Sequence, residues 1–338
     1  MYQSQIKKIN EQLKTTDKAI IALGCSFVQG QGAVNDELYT EYKWTYPGLG
    51  AALEPQINSS ERTSILEKYP NVANGPDNKL DFTFMEYDNA FVNVLCNKYF
   101  SGKYVPINLG LRGCGNRATI KELYFHSDID WSKIKEIIVI YCPSGLERFD
   151  FINDQWSDHF HWKCMWPHYE NVDGDSRKKL WEGYNKTLWS DKQGALEQIA
   201  HVQELMLWCK AHNAKLIITP GFDRRYSKKE FERMIKSDIN REVQTEQISN
   251  VRTPLLLSDE KKKLIDMFPW DNMFTPQGHS TFVDLAMDQE AKVEKNDYFF
   301  QFLGSGSANM WITPCAHPSA KAHDLFAKEL FNHINKNL

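Results

Sequence analysis

Four short stretches of the chain are apolar with little alternation: Ala19 to Gly24 (AIIALG), Val105 to Gly110 (VPINLG), Ile134 to Tyr141 (IKEIIVIY) and Ala214 to Pro220 (AKLIITP). Such unbroken runs suit strands covered on both faces, as in a parallel sheet. Around them apolar residues recur at helical spacing. Ile6, Ile9 and Leu13 mark a short amphipathic helix at the start of the chain. A first crossover helix is expected near Phe84 to Tyr99 and another over Asn116 to Phe125. In Gly194 to Ala211, residues Leu196, Ile199, Val202, Leu205, Met206 and Cys209 share one face. The last helix is predicted from about Pro318 to Asn335, with Leu325, Phe326, Leu330, Phe331 and Ile334 as its apolar stripe. Pro318 suits the first position, where a missing N–H costs nothing. Strands alternating with helices predict a doubly wound α/β chain with a mainly parallel sheet, whose ligands bind beyond the carboxyl ends of the strands. Functional residues are therefore expected just after the four strands.

Three stretches exceed this minimal plan and read as insertions into a single domain spanning 1–338. They cover about 31–82, 142–190 and 221–310. The third begins with SKKEFERMIKSDINRE, whose charge density predicts a solvated helix. The second concentrates aromatic residues: half of the ten tryptophans (156, 162, 166, 181, 189) fall in it. No internal repeat or low-complexity tract is present.

Composition narrows the function classes. With 338 residues, 42% of them hydrophobic, and a net charge of −4 without a long Lys/Arg block, nothing points to disorder or to a nucleic-acid or anionic-membrane partner. No apolar run reaches the ~18 residues of a membrane-spanning helix. The polar N-terminus MYQSQIKKINEQLKTT lacks the apolar stretch of a signal peptide, so a cytoplasmic or virion-associated protein is expected. Seven scattered cysteines without a C-x-x-C pair read as reduced thiols.

Three sites carry candidate chemistry. After the first strand comes Gly24-Cys25-Ser26-Phe27-Val28-Gln29-Gly30, where a serine at a strand-to-helix turn could be a nucleophile or an ordinary N-cap. After the second comes Asn108-Leu109-Gly110-Leu111-Arg112-Gly113-Cys114-Gly115-Asn116, whose glycines either expose N–H groups to a ligand or serve a tight loop. At the far end, His317-Pro318-Ser319 precedes the last helix, and a histidine there could be a base or a surface cap. The run from His159 to His168 contains three histidines and a cysteine, but H-x-H-x2-C-x3-H matches no zinc spacing.

The order and separation of these blocks resemble the SGNH, or GDSL, hydrolase family, most specifically in GCSFVQG and HPSAKAHDLFAKEL. The resemblance implies a flavodoxin-like α/β/α sandwich and acyl-ester hydrolysis without metal or cofactor. Within the family the chain looks similar to phage-associated and marine bacterial forms. Carried over residue by residue, Ser26 matches the nucleophile and His317 its base, and the backbone N–H groups of Ser26 and Gly113 match two oxyanion donors. Two positions depart from the family pattern. The stretch Tyr141 to Asp150 lacks the asparagine that normally supplies a third donor, leaving Asn116 or Ser144 as substitutes, with Asn116 preferred because an amide N–H is a fixed donor. The aspartate normally three residues before the histidine is Pro314. Asp324 lies seven helical residues, roughly 10 Å, beyond His317. This leaves a Ser–His dyad with a backbone carbonyl orienting the imidazole, a carboxylate from an insertion, or lost activity.

Arg148, with Asp150, falls just after strand three, where it either clamps a polar substrate group or forms a structural ion pair. Trp156, Trp162 and Trp166 with Ser144 and Arg148 are the substrate-binding candidates, the indoles as a wall for a sugar ring or acyl group, or else as packing of the insertion. The expected function is a serine esterase acting on a small-molecule or glycan ester, with an O-acetyl carbohydrate as the favoured substrate. The alternative is an inactive carbohydrate-binding or virion structural protein on the same fold. A phosphate-binding flavodoxin-like protein is disfavoured, because the first turn lacks a phosphate loop.

Overall fold

The computed structural model describes residues 3–35, 37–38, 58–74, 80–126, 128–152, 162–165, 183, 189–236, 258–294, 311 and 317–337. The chain opens with helix α1 (Gln3–Gln12), enters strand β1 (Lys18–Gly24) and turns into the short α2 (Ser26–Gln29). There follow α3 (Ser59–Lys68), the two-residue strands β2 (Ala73–Asn74) and β3 (Leu80–Asp81), α4 (Thr83–Asn89), α5 (Phe91–Val94), a π-helical turn (Leu95–Tyr99), β4 (Val105–Asn108), α6 (Asn116–Phe125) and β5 (Glu136–Cys142). A hairpin of β6 (Phe149–Ile152) and β7 (Trp162–Met165) comes next, then α7 (Asp191–Ala211), β8 (Lys215–Ile218), α8 (Lys228–Lys236), α9 (Ser258–Asp266), α10 (Phe282–Glu294) and α11 (Ala320–Asn337).

The central sheet is parallel, in the order β4-β1-β5-β8. All four predicted strands are present. In chain order this is the doubly wound 2-1-3-4 arrangement, with β1 at the point where the winding reverses. Pro106 sits in β4, at one end of that order, where a residue without N–H is tolerated. Successive residues of β1 feed opposite layers. Ala19, Ile21 and Leu23 join a core with α1, α6, α7, α8 and α9, built on Ile9, Ile120, Val202, Phe231 and Ile265. Ile20 and Ala22 join a second core with α5, α10 and α11, built on Phe91, Phe282, Phe326 and Leu330. Burial on both faces is the physical reason these strands read as continuous apolar runs.

Two helical expectations need correction. The expected helix of Phe84 to Tyr99 is broken at Ala90, whose backbone is extended (φ −60°, ψ 141°). There the chain abuts Gly30, where an added Cβ would lie 2.9 Å from the Ala90 Cβ and 2.5 Å from the Glu86 carbonyl oxygen. The charge-dense segment forms α8, but it is not merely solvated: Phe231, Met234 and Ile235 are fully buried in the first core. Part of the first inserted stretch makes its own small core, with Val34, Leu38, Ile65, Tyr69 and Val72 packed on Phe82 and Met85.

Candidate functional site

The tight exit of β1 fixes the position of Ser26. Gly24 is hemmed in so closely that a Cβ there would lie 2.2 Å from Val28 Cγ2 and 2.7 Å from the Cys142 carbonyl oxygen. Cys25 is buried, and Ser26, 4% exposed, is the first residue of α2. Its Oγ lies 2.7 Å from Nε2 of His317, a contact between residues 291 apart in sequence. Both sit at the carboxyl edge of the sheet, Ser26 at the end of the central strand and His317 just before α11. The imidazole lies against Phe27 (ring centroids 4.8 Å), and Phe27 against Phe222 (5.0 Å), which follows β8. Arg148 covers the Phe222 ring at 4.9 Å. These contacts form a continuous wall from His317 to a guanidinium. Phe27 and Phe222 were not singled out from the sequence, although each follows a strand end closely and their position beside the catalytic candidates was the available signal.

Gly113 has φ +66°, a left-handed conformation that favours glycine, and a Cβ there would meet open space. Among the described residues the N–H groups of Ser26 and Gly113 donate to no protein acceptor. Asn116 and Ser144 serve the fold instead of facing a ligand. The Asn116 amide donates to Tyr226 Oη (2.8 Å) and to the Ser144 carbonyl (3.4 Å), while its Oδ1 accepts the Ser144 N–H (2.7 Å) and hydroxyl (3.2 Å). Tyr226 Oη also donates to the Ser144 carbonyl (2.9 Å). All three side chains are buried, so this network ties the loops after β4, β5 and β8 together. The expectations of Asn116 as an oxyanion donor and Ser144 as a substrate contact are thereby corrected: the donors of both are committed within the protein. Burial and the surrounding charges hold the Tyr226 phenol well above its ordinary pKa, so it stays protonated and donating.

Asp150 is a buried helix cap. One carboxylate oxygen accepts the Gly115 N–H (2.7 Å) and the other the Ala118 N–H (3.0 Å). These satisfy donors at the start of α6 that its own turn cannot. Arg148 donates from Nη1 to the Cys114 carbonyl (2.9 Å). Asp324 bonds Lys98 (2.7 Å) and Tyr99 Oη (3.1 Å), consistent with its distance from His317 along the helix. Pro314 lies outside the described residues, as do Trp156, Trp166, Trp181 and most of the His159 to His168 run. Trp162 opens β7 opposite Ile152, its side chain outside the described set. Of the five clustered tryptophans, Trp189 is fully described. It packs on the first core and crowds Gly194, where a Cβ would lie 2.4 Å from its ring, so this indole belongs to the packing.

No family model matches the chain, and no curated protein matches it in sequence. Among solved structures it is similar to a carbohydrate esterase whose active site is described as having divergent catalytic and non-catalytic binding functions. That match has 11% identity and a TM-score of 0.39, covering 95% of this chain and 69% of that one. It is also similar to an acetyl-xylooligosaccharide esterase at 12% identity, with 94% of each chain covered and a TM-score of 0.37. A catalytic mutant of an acetylxylan esterase from Geobacillus stearothermophilus matches with the same identity and coverage and a TM-score of 0.33. Likeness this distant carries nothing about the chemistry, which is read from the side chains themselves.

Proposed function

We propose that the chain is a serine esterase of the SGNH type that cleaves an acyl ester, with an O-acetyl group on a carbohydrate as the substrate class that its resemblance to this family implies. The observation that carries this reading is the 2.7 Å contact between Ser26 Oγ and His317 Nε2. A serine hydroxyl is a weak nucleophile until a neighbouring base takes its proton, and this distance is within hydrogen-bond reach. In the first half-reaction Ser26 Oγ attacks the ester carbonyl carbon as its proton passes to His317 Nε2. The resulting oxyanion is received by the N–H groups of Ser26 and Gly113, each contributing about 2.7–4 kcal/mol if it behaves as oxyanion donors generally do. The imidazolium then protonates the departing alcohol oxygen, leaving an acyl-serine. Water attacks the acyl carbon with His317 again as base, and the proton returns to Ser26 as the acid leaves. The aromatic wall of Phe27 and Phe222 holds the imidazole ring in place.

One observation favours the alternative of an inactive binding protein: the amide of Asn116 is engaged by Tyr226 and Ser144, which leaves two proposed oxyanion donors. Hydrolysis of p-nitrophenyl acetate separates the readings. The esterase reading expects wild-type turnover and a loss of at least ~10³-fold in both Ser26→Ala and His317→Ala. Equal background rates in all three proteins would overturn the esterase reading.

A further inference from the structure

A buried carboxylate outside the Ser26–His317 pair reaches the same end of the sheet. Glu86, in α4, is 7% exposed, and its two oxygens serve two different segments. Oε1 accepts the Gly32 N–H at 2.7 Å, just beyond α2. Oε2 pairs with the Arg112 guanidinium, and Arg112 Nε donates to Gln29 Oε1 at 2.8 Å. The Glu86 backbone itself presses on Gly30, the residue that ends α2. Burial raises the Glu86 carboxyl above its ordinary range, with the neighbouring guanidinium acting against that shift.

The loop that Arg112 belongs to needs such a tie. On its β4 side it is held by Leu109 N–H to the Ala22 carbonyl and Leu111 N–H to the Gly24 carbonyl, both 2.9 Å. On its α6 side it is held by Gly115 N–H to Asp150. Between these anchors, Arg112 and Gly113 make no backbone hydrogen bond among the described residues, and Gly113 has open space around it. On the far side Arg148 holds the Cys114 carbonyl at 2.9 Å, and on the near side the Arg112 side chain ties the loop to Glu86 and Gln29.

Resting on the reading of Ser26 as nucleophile, we propose that Glu86 and Arg112 are positioning residues that hold the Gly113 N–H against the nucleophile's helix, so that the oxyanion site is preorganised. A charge-assisted bond to a buried, doubly used carboxylate is directional where a surface ion pair is not. An oxyanion donor helps only if its position is fixed before the charge develops. In this proposal both act through Gly113.

The test uses Arg112→Met, Arg112→Lys and Glu86→Gln in the full-length protein. It reads the order parameter of the Gly113 amide by NMR relaxation together with kcat and KM for p-nitrophenyl acetate. The wild-type amide is expected near the ~0.85 of rigid backbone and the Arg112→Met amide below ~0.6. In Arg112→Met kcat is expected to fall about 10- to 100-fold with KM within about threefold, because a loosened oxyanion donor costs transition-state stabilisation and not binding. Arg112→Lys keeps the charge on Glu86 and should recover part of both, while Glu86→Gln, which retains the Gly32 bond and the side-chain shape, should lose part of both. A rigid Gly113 amide in Arg112→Met and Glu86→Gln overturns the proposal, as does a mobile amide with wild-type kcat. If the wild type hydrolyses no ester, the esterase reading falls, and the order parameters alone still decide whether Glu86 and Arg112 hold the loop.

Discussion

His323 makes the stability of this fold depend on pH with a sign and size that can be worked out. The residue is fully buried on α11, six positions beyond His317, stacked on Phe91 and edge-on to Phe282. Its Nδ1 accepts the Phe91 N–H at 3.1 Å, which places the ring proton on Nε2, and among the described residues Nε2 has no partner. A cation there would be unsolvated, so burial, reinforced by the nearby His317, pushes the imidazole down to about 3 from an ordinary 6.5. Below pH 6.5 the unfolded chain therefore binds a proton that the folded chain refuses, and stability falls as the pH drops towards 3. Between pH 7 and pH 4.5 this single group removes about 2–3 kcal/mol, and its limit at lower pH is on the order of 5 kcal/mol. Urea unfolding at the two pH values, for wild type and His323→Asn, isolates the effect. Asparagine offers an acceptor for the Phe91 N–H but does not titrate. The variant is expected to be less stable at pH 7 through lost ring packing, yet to lose about 2–3 kcal/mol less on acidification. His201, which burial lowers to about 4, acts in the same direction in both proteins and cancels in the comparison. Parallel stability curves for the two proteins would refute the reasoning.

Three further changes have defined outcomes. Asp150→Ala strands the Gly115 and Ala118 N–H groups and should cost about 2–4 kcal/mol in urea unfolding, with Asp150→Asn, which keeps one acceptor oxygen, losing less. Tyr226→Phe removes the hydroxyl shared by Ser144 and Asn116 and should lower stability by about 1–3 kcal/mol, seen as a reduced thermal midpoint. Gly110→Ala puts a Cβ 2.4 Å from the Gln29 nitrogen and 2.8 Å from its Cα, so the β4 loop and α2 must part. About 1–3 kcal/mol of stability and at least ~10-fold of ester turnover should be lost together.

The sheet was legible in the chain because both of its faces are covered: the period-two signal of a half-wet strand is replaced by short solid apolar runs that stand out from their surroundings. The pairing of Ser26 with His317 was legible for a different reason, since strand-end motifs converge on one edge of a doubly wound sheet whatever their separation in sequence. The break at Ala90 was not legible, because it answers to Gly30, some sixty residues earlier. The real work of Asn116 and Ser144 was hidden in the same way. An asparagine in a glycine-rich loop looks like a donor to a ligand until Tyr226, 110 residues on, is found to accept its amide hydrogen. Nothing in the sequence around Asp150 shows that its carboxylate also caps α6, which begins some thirty residues earlier.

The claim that Ser26 is a nucleophile activated by His317 is tested most directly by covalent capture. Wild type, Ser26→Ala and His317→Ala are treated with a fluorophosphonate and the adduct is mapped by peptide mass spectrometry. A single adduct on Ser26 in the wild type, absent in Ser26→Ala and formed at least ~10³-fold more slowly in His317→Ala, is the predicted result. An unlabelled wild-type Ser26, or labelling that His317→Ala leaves unchanged, would contradict it.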